Sequence, residues 1–333
     1  MASFWAPLRP FAPLFWAAGT LLLLELGLEV RASSRGYRAV LLKRGPGVAM
    51  PVGTTSFPFR SREPEPRDRA PLWLASSSYG EDVSLPVEDL FATLLAERLG
   101  RPVINASHGG YTLRSNLEEL EREGPRFHPR LVLLYQMSND IDQLSERLAA
   151  GLPASQAPGA PASASESFAP VSPWVQQLTT YRQLKSQVSS RLAEHLPLWD
   201  DLSDPSAIDA FREHVAAFVD GVEALGATPV LITFATAYTP SDANAIPRSV
   251  ARQNLAMNIV LSPLGWTRSV ERFNVVLVNI ARERGLVCID LAAELHGHPE
   301  LFRDLWHFTP AGHARVAELL AAGLLRSFPE LAP

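Results

Sequence analysis

Short apolar runs that each stop dead at a polar or glycine-bearing cluster set the strongest limit on how this chain folds. They fall at residues 72–75, 103–104, 130–135, 229–234 and 286–290, and most are too short to be helices. Between them lie stretches with helical spacing: 87–99 (Leu90, Leu94, Leu95 and Leu99, stopped by Gly100), 112–123, 207–225, 267–284 and 310–326. Strands that are apolar on both faces and alternate with amphipathic helices predict a mostly parallel sheet covered on both sides. Right-handed crossovers leave few layouts for such a sheet. The expectation is a flavodoxin-like three-layer α/β/α sandwich with five strands.

Two stretches interrupt the alternation. Residues 151–173 are rich in Ala, Ser and Pro without periodicity and read as a flexible insertion. Residues 236–266 carry scattered apolar side chains (Ile246, Met257, Ile259, Leu261) and are expected to form a lid over the active edge. The catalytic domain is expected to span 71–330, after a Pro-, Glu- and Arg-rich connector at 31–70.

Composition narrows the partners. A net charge of −5 without a long basic run argues against nucleic acid, because phosphate neutralisation needs clustered Lys and Arg. The single cysteine, Cys288, excludes an internal disulfide framework and a cysteine-based zinc site, and its apolar setting reads as a buried structural thiol. His296-x-His298 has no carboxylate or third ligand at metal spacing and reads as a solvated loop, so neither a metal nor an organic cofactor is expected.

The N-terminal 30 residues hold an apolar run from 11 to 24, extending to Leu28 when Glu25 is tolerated. About 18 residues make roughly 27 Å of helix, just short of a bilayer core. Glu25, Glu29 and Arg31 crowd the small-residue site Val30-Arg31-Ala32, which favours a retained membrane anchor over a cleaved signal peptide. The basic residues after the run would hold the body inside by charge alone. Large domains are exported regardless of such charges, and the expectation is a body facing out of the cytoplasm.

The chemistry gathers where the strands end. After the first run comes Ala75-Ser76-Ser77-Ser78-Tyr79-Gly80, and after the second Asn105-Ala106-Ser107-His108-Gly109-Gly110. The third is followed by Gln136-Met137-Ser138-Asn139-Asp140, and the fifth, after an interval, by Asp304-Leu305-Trp306-His307. Open α/β sheets bind ligands at this edge. A serine hydroxyl needs a base, which an imidazole supplies, and the imidazole needs a carboxylate to fix its tautomer. A glycine amide and an asparagine NH₂ can hold the oxyanion of a tetrahedral intermediate.

These blocks resemble the SGNH/GDSL hydrolases from about residue 72 to 326. Counting back from Gly80 in the family's Gly-Gly-Ser-Thr-Thr-x-Gly block, the resemblance implies Ser76 as nucleophile, with Asp304 and His307 as its partners. It implies an oxyanion hole made of the Ser76 N–H, Gly110 and Asn139. Three glycines of the family pattern are replaced here, by Ala75, Ser107 and Met137. Ser77 and Ser78 read as turn formers or a helix cap, Asn105 and Asp140 as loop braces, and His313 as a surface or capping group. An α/β-hydrolase is disfavoured, since its Gly-x-Ser-x-Gly elbow is absent.

The function expected is hydrolysis of a small O-acyl ester through an acyl-Ser76 intermediate. The alternatives are an O-acyltransferase using the same residues on envelope glycans, or a non-catalytic binding protein on this fold. The expected partners are an acyl ester of a carbohydrate or lipid, the membrane through the N-terminal helix, and an integral-membrane acyl-transfer partner.

Overall fold

The computed structural model describes residues 59–64, 70–154, 198–258 and 260–332. The apolar run at 11–28 and most of the 151–173 insertion lie outside the described residues. No helix among the described residues is long and apolar enough to cross a membrane.

The apolar runs form five parallel strands: β1 (Leu72–Ala75), β2 (Val103–Asn105), β3 (Leu131–Leu134), β4 (Thr228–Ile232) and β5 (Val287–Ile289). Their order is β2-β1-β3-β4-β5, the flavodoxin-like arrangement expected from the sequence. Leu72 pairs with Val103 on one side and Leu131 on the other, so β1 lies inside the sheet. All of β1 and β3 is buried, as strands covered on both faces require.

The helices follow from the crossovers. The step from β1 to β2 carries α1 (Ser78–Glu81) and α2 (Phe91–Leu99), and runs opposite to every later step. Right-handed connections therefore put α2 on one face. On the other go α3 (Leu113–Phe127), α4 (Ser138–Ala149), α5 (Pro205–Ala224), α6 (Arg248–Met257) and α7 (Pro263–Arg284), which lie in the later crossovers. After β5 come the short α8 (Ala292–Leu295) and α9 (Pro310–Ser327), and α9 packs on α2. Chain reversal between β2 and β3 puts the switch point between the C-terminal ends of β1 and β3.

Helix starts depart from the periodic pattern in a regular way. Asp204-Pro205, Ser262-Pro263 and Thr309-Pro310 each place a capping oxygen on an early amide, with proline in the first turn. α5 and α7 therefore begin earlier than periodicity alone suggests, and 263–266 belong to α7. The expected helix over 87–99 is broken at Leu90, which is extended (φ −73°, ψ 140°). Within 236–266 the chain forms a 3₁₀ turn (Pro240–Ala245) and α6. The helix α4 lies outside the periodic segments of the sequence, because its first turn is polar and carries the Ser138-Asn139-Asp140 block.

The core holds two groups of aromatic rings. Trp73 meets Phe59 edge-on at 5.1 Å, and Tyr79, Tyr135, Phe234 and Phe308 make a second cluster with contacting centroids 4.9–6.2 Å apart. Ala75, Ser107 and Met137, which replace glycines of the family pattern, are all buried.

Candidate functional site

The Asp304–His307 pair is built locally. The 303–307 turn is closed by the Arg303 N–H to the His307 carbonyl at 2.8 Å, and Phe302 and Phe308 bridge across its base. Asp304 Oδ1 accepts the backbone N–H groups of Trp306 (3.0 Å) and His307 (2.9 Å), as aspartates in turns do. That fold of the chain swings the His307 ring back, and Asp304 Oδ2 takes Nδ1 at 2.8 Å. Burial pushes the Asp304 carboxyl up, but the hydrogen bonds and charge of His307, with the two backbone donors, outweigh it. The carboxyl stays below its ordinary value. An ionised Asp304 makes Nδ1 the protonated nitrogen and leaves Nε2 as the acceptor.

Nε2 faces Ser78, not Ser76. Ser78 Oγ and His307 Nε2 lie 2.9 Å apart, joining residues 229 positions distant in sequence. Ser76 is fully buried, and its hydroxyl has no hydrogen-bond partner among the described residues. Ser77 is also fully buried, and its hydroxyl accepts from Asn139 Nδ2 at 2.5 Å. Ser78 alone of the three reaches solvent.

The physical reason is register. Counting back from Gly80 takes that glycine as the one that closes the nucleophile turn. Gly80 instead lies inside α1, and the left-handed residue that ends the turn is Asp82 (φ +24°), two positions on. A shift of two residues moves the hydroxyl that meets His307 from Ser76 to Ser78. Gly80 is needed for close packing, since a Cβ there would stand 2.4 Å from Ser107 Oγ and 2.9 Å from Ser76 Cβ. The serine that replaces a family glycine at 107 fills the space over residue 80.

Of the expected oxyanion groups, Gly110 is exposed at φ +85° with open space around its Cβ position. Asn139 Nδ2 donates to Ser77 Oγ and, at 2.7 Å, to the Tyr111 carbonyl. Its amide thus lies against the serine next to Ser76 and next to Ser78. Gln136 Nε2 shares the Tyr111 carbonyl at 2.8 Å and donates equally closely to Asp140, which in turn accepts the Leu113 N–H at 3.0 Å. Burial drives the Asp140 carboxyl up to about 7. Asn105 Nδ2 donates to the Gly80 carbonyl at 2.9 Å.

Several groups at the site have no signal in the sequence. Glu81 Oε2 accepts the Gly109 N–H at 2.7 Å, tying α1 to the glycine loop, with His108 Nδ1 3.9 Å from Oε1. Gln253 on α6 donates to Asp304 Oδ2 at 2.9 Å. Asp82 binds Arg303 and His313. His313, expected as a surface or capping group, is fully buried. Its Nδ1 accepts the Phe91 N–H at 3.1 Å and its Nε2 sits 3.2 Å from Asp82, so it is pinned as the Nε2–H tautomer. None of these has a local signature, since each acts across a long chain separation.

His296 Nδ1 accepts from the Thr236 N–H at 3.0 Å, and His298 faces Glu300. Cys288 is partly buried, which raises its thiol pKa to about 11.

Among solved structures, a lipase/acylhydrolase from Enterococcus faecalis is 15% identical, with a TM-score of 0.46 over 78% of this chain and 97% of that one. A member of the lipolytic G-D-S-L family from Veillonella parvula DSM 2008 is 12% identical, with a TM-score of 0.43 over 78% and 98%. The acetyl xylan esterase AlAXEase is 14% identical, with a TM-score of 0.43 over 76% and 99%. No curated protein matches the chain. The model of the GDSL-like lipase/acylhydrolase family matches residues 76–315, well over half of the sequence, and the chain belongs to that family of ester-hydrolysing enzymes.

Proposed function

We propose that this protein hydrolyses an O-acyl ester of a carbohydrate or lipid through an acyl-Ser78 intermediate. The observation that carries this reading is the unbroken chain Ser78 Oγ–His307 Nε2, 2.9 Å, and His307 Nδ1–Asp304 Oδ2, 2.8 Å, at the switch point of the sheet.

In this mechanism Ser78 Oγ attacks the ester carbonyl carbon while its proton passes to His307 Nε2. Asp304 stabilises the resulting imidazolium and holds its ring. The tetrahedral oxyanion is met by the Ser78 N–H, by the Gly110 N–H and by the Asn139 amide, turned from Ser77. Collapse expels the alcohol, which takes its proton from His307. Water then repeats the sequence on the acyl-Ser78 ester, with His307 again as base, and releases the acid.

The test is turnover of p-nitrophenyl acetate by the full chain, run beside Ser78→Ala and Ser76→Ala, with mapping of the fluorophosphonate adduct. The reading expects the adduct on Ser78 and a loss of roughly 10⁴–10⁶ in kcat in Ser78→Ala alone. An adduct on Ser76, with Ser78→Ala active, overturns it.

A further inference from the structure

Asp82 is out of keeping with its surroundings. It occupies the left-handed turn (φ +24°), where a side chain is costly and glycine is the usual choice, and its carboxylate is 3% exposed. A strained non-glycine residue beside a reaction centre points to a side chain that is needed there.

Its bonds run to both halves of the site. The Asp82 N–H donates to the Ser78 carbonyl at 2.9 Å. Its Oδ2 accepts from Arg303 Nη2 at 2.6 Å, and its Oδ1 takes the Ser84 hydroxyl at 2.6 Å. Arg303 also donates through Nη1 to Ser84 Oγ. The Arg303 N–H in turn holds the His307 carbonyl at 2.8 Å. With Ser78 Oγ on His307 Nε2, these links close a ring: Ser78, Asp82, Arg303, His307 and back to Ser78. His313 anchors the ring to the core at Asp82 Oδ2. Burial works against charge on Asp82, but His313, Ser84 and Arg303 hold its carboxyl well below the usual carboxylate range. A charge-assisted pair of this geometry is stiff and short.

We propose that Asp82 and Arg303 are positioning residues that fix the separation of Ser78 from His307. The α1 turn carries the hydroxyl and the 303–307 turn carries the imidazole, and the Asp82–Arg303 ion pair joins those two turns. The Asp82 carboxylate is buried, and the Arg303 guanidinium is engaged by Asp82 and Ser84. A displacement of about 1 Å between nucleophile and base is enough to cost roughly 10²-fold in rate.

This inference rests on the assignment of Ser78 as nucleophile, and the experiment separates the two. Asp82→Asn, Arg303→Met, Arg303→Lys and the double variant Asp82→Asn/Arg303→Met are compared with wild type and Ser78→Ala in p-nitrophenyl acetate kinetics. Active sites are counted with fluorophosphonate, and thermal unfolding is followed in parallel. Asp82→Asn and Arg303→Met are each expected to lower kcat per site by about 10–10²-fold with KM within about threefold. The double variant should be no slower than the worse single one, because both break the same link. Arg303→Lys, which keeps the ion pair, should recover most of the rate. Lowered melting temperature with unchanged kcat per site would mean a merely structural role and overturn the proposal, as would additive losses. Should Asp82→Asn fail to fold, Arg303→Met decides, since that side chain is 34% exposed. Wild-type activity in Ser78→Ala sinks the nucleophile assignment instead.

Discussion

Gln253 and Asp304 meet at 2.9 Å, and the Asp304 oxygen that receives the Gln253 amide is the one that receives His307 Nδ1. The helix α6 thereby bears on the carboxylate that holds the His307 ring. Replacing Gln253 with Leu removes one donor from that oxygen and leaves His307 Nδ1 in place. The expected result is a two- to tenfold fall in kcat with the fold intact, read by steady-state kinetics and circular dichroism. The amide donates to the charged form of the carboxyl, so its loss raises the proton affinity of Asp304.

Ser76→Ala separates the two serine registers by stability as well as rate. The Ser76 hydroxyl is buried without a partner among the described residues, so its removal is expected to leave turnover within about threefold of wild type. Stability should be unchanged or higher by up to ~1 kcal/mol, because an unsatisfied polar group is lost. Chemical denaturation of the variant beside wild type is the measurement.

Asn139→Ala is expected to lower kcat by roughly 10²–10³, as loss of an oxyanion donor does, with little change in KM. An equal rate in the variant removes Asn139 from the transition state and leaves it a brace between Ser77 and the Tyr111 carbonyl.

Asp142 contributes to the pH dependence of stability, as Asp140 does through the same burial. Burial raises its carboxyl to about 6, although Asn258 Nδ2 and Trp266 Nε1 both donate to Oδ1, at 2.7 and 3.0 Å. The folded state therefore binds the proton more tightly than the unfolded chain, whose aspartates titrate near ~3.9. Where the folded state holds more protons, stability falls as pH rises. The contribution is complete below about pH 4 and is lost on passing through about 6. Asp142→Asn keeps the Oδ1 acceptor and removes the charge. It should raise the denaturation midpoint at about pH 8 and reduce the slope between about pH 4 and 6, leaving the part that Asp140 carries.

Gly312→Ala probes the junction of α9 with the 303–307 turn. A Cβ at 312 would lie 2.1 Å from the Leu301 carbonyl oxygen, which is backbone and cannot rotate aside. That oxygen also accepts the Thr309 N–H at 2.9 Å, so the helix start must move. A loss of about 1–3 kcal/mol in unfolding free energy is expected, together with a lower kcat as the 303–307 turn shifts. Denaturant titration and steady-state kinetics on the same preparation check both.

The sequence alone determined the sheet. Runs such as Leu72-Trp73-Leu74-Ala75 and Leu131–Leu134 are apolar on both faces, and only a covered parallel strand buries both. It also determined the pairing of Asp304 with His307, because three residues of chain are enough for one carboxylate to cap the turn and orient the ring. Tertiary structure decided which of three adjacent serines faces that ring. Ser76, Ser77 and Ser78 are chemically identical, and the choice depends on where β1 ends and α1 begins, and on a partner 229 residues away. The same holds for Asp82, His313 and Gln253. Their roles come from contacts between segments far apart in sequence, and no local spacing encodes the distance across a folded sheet edge.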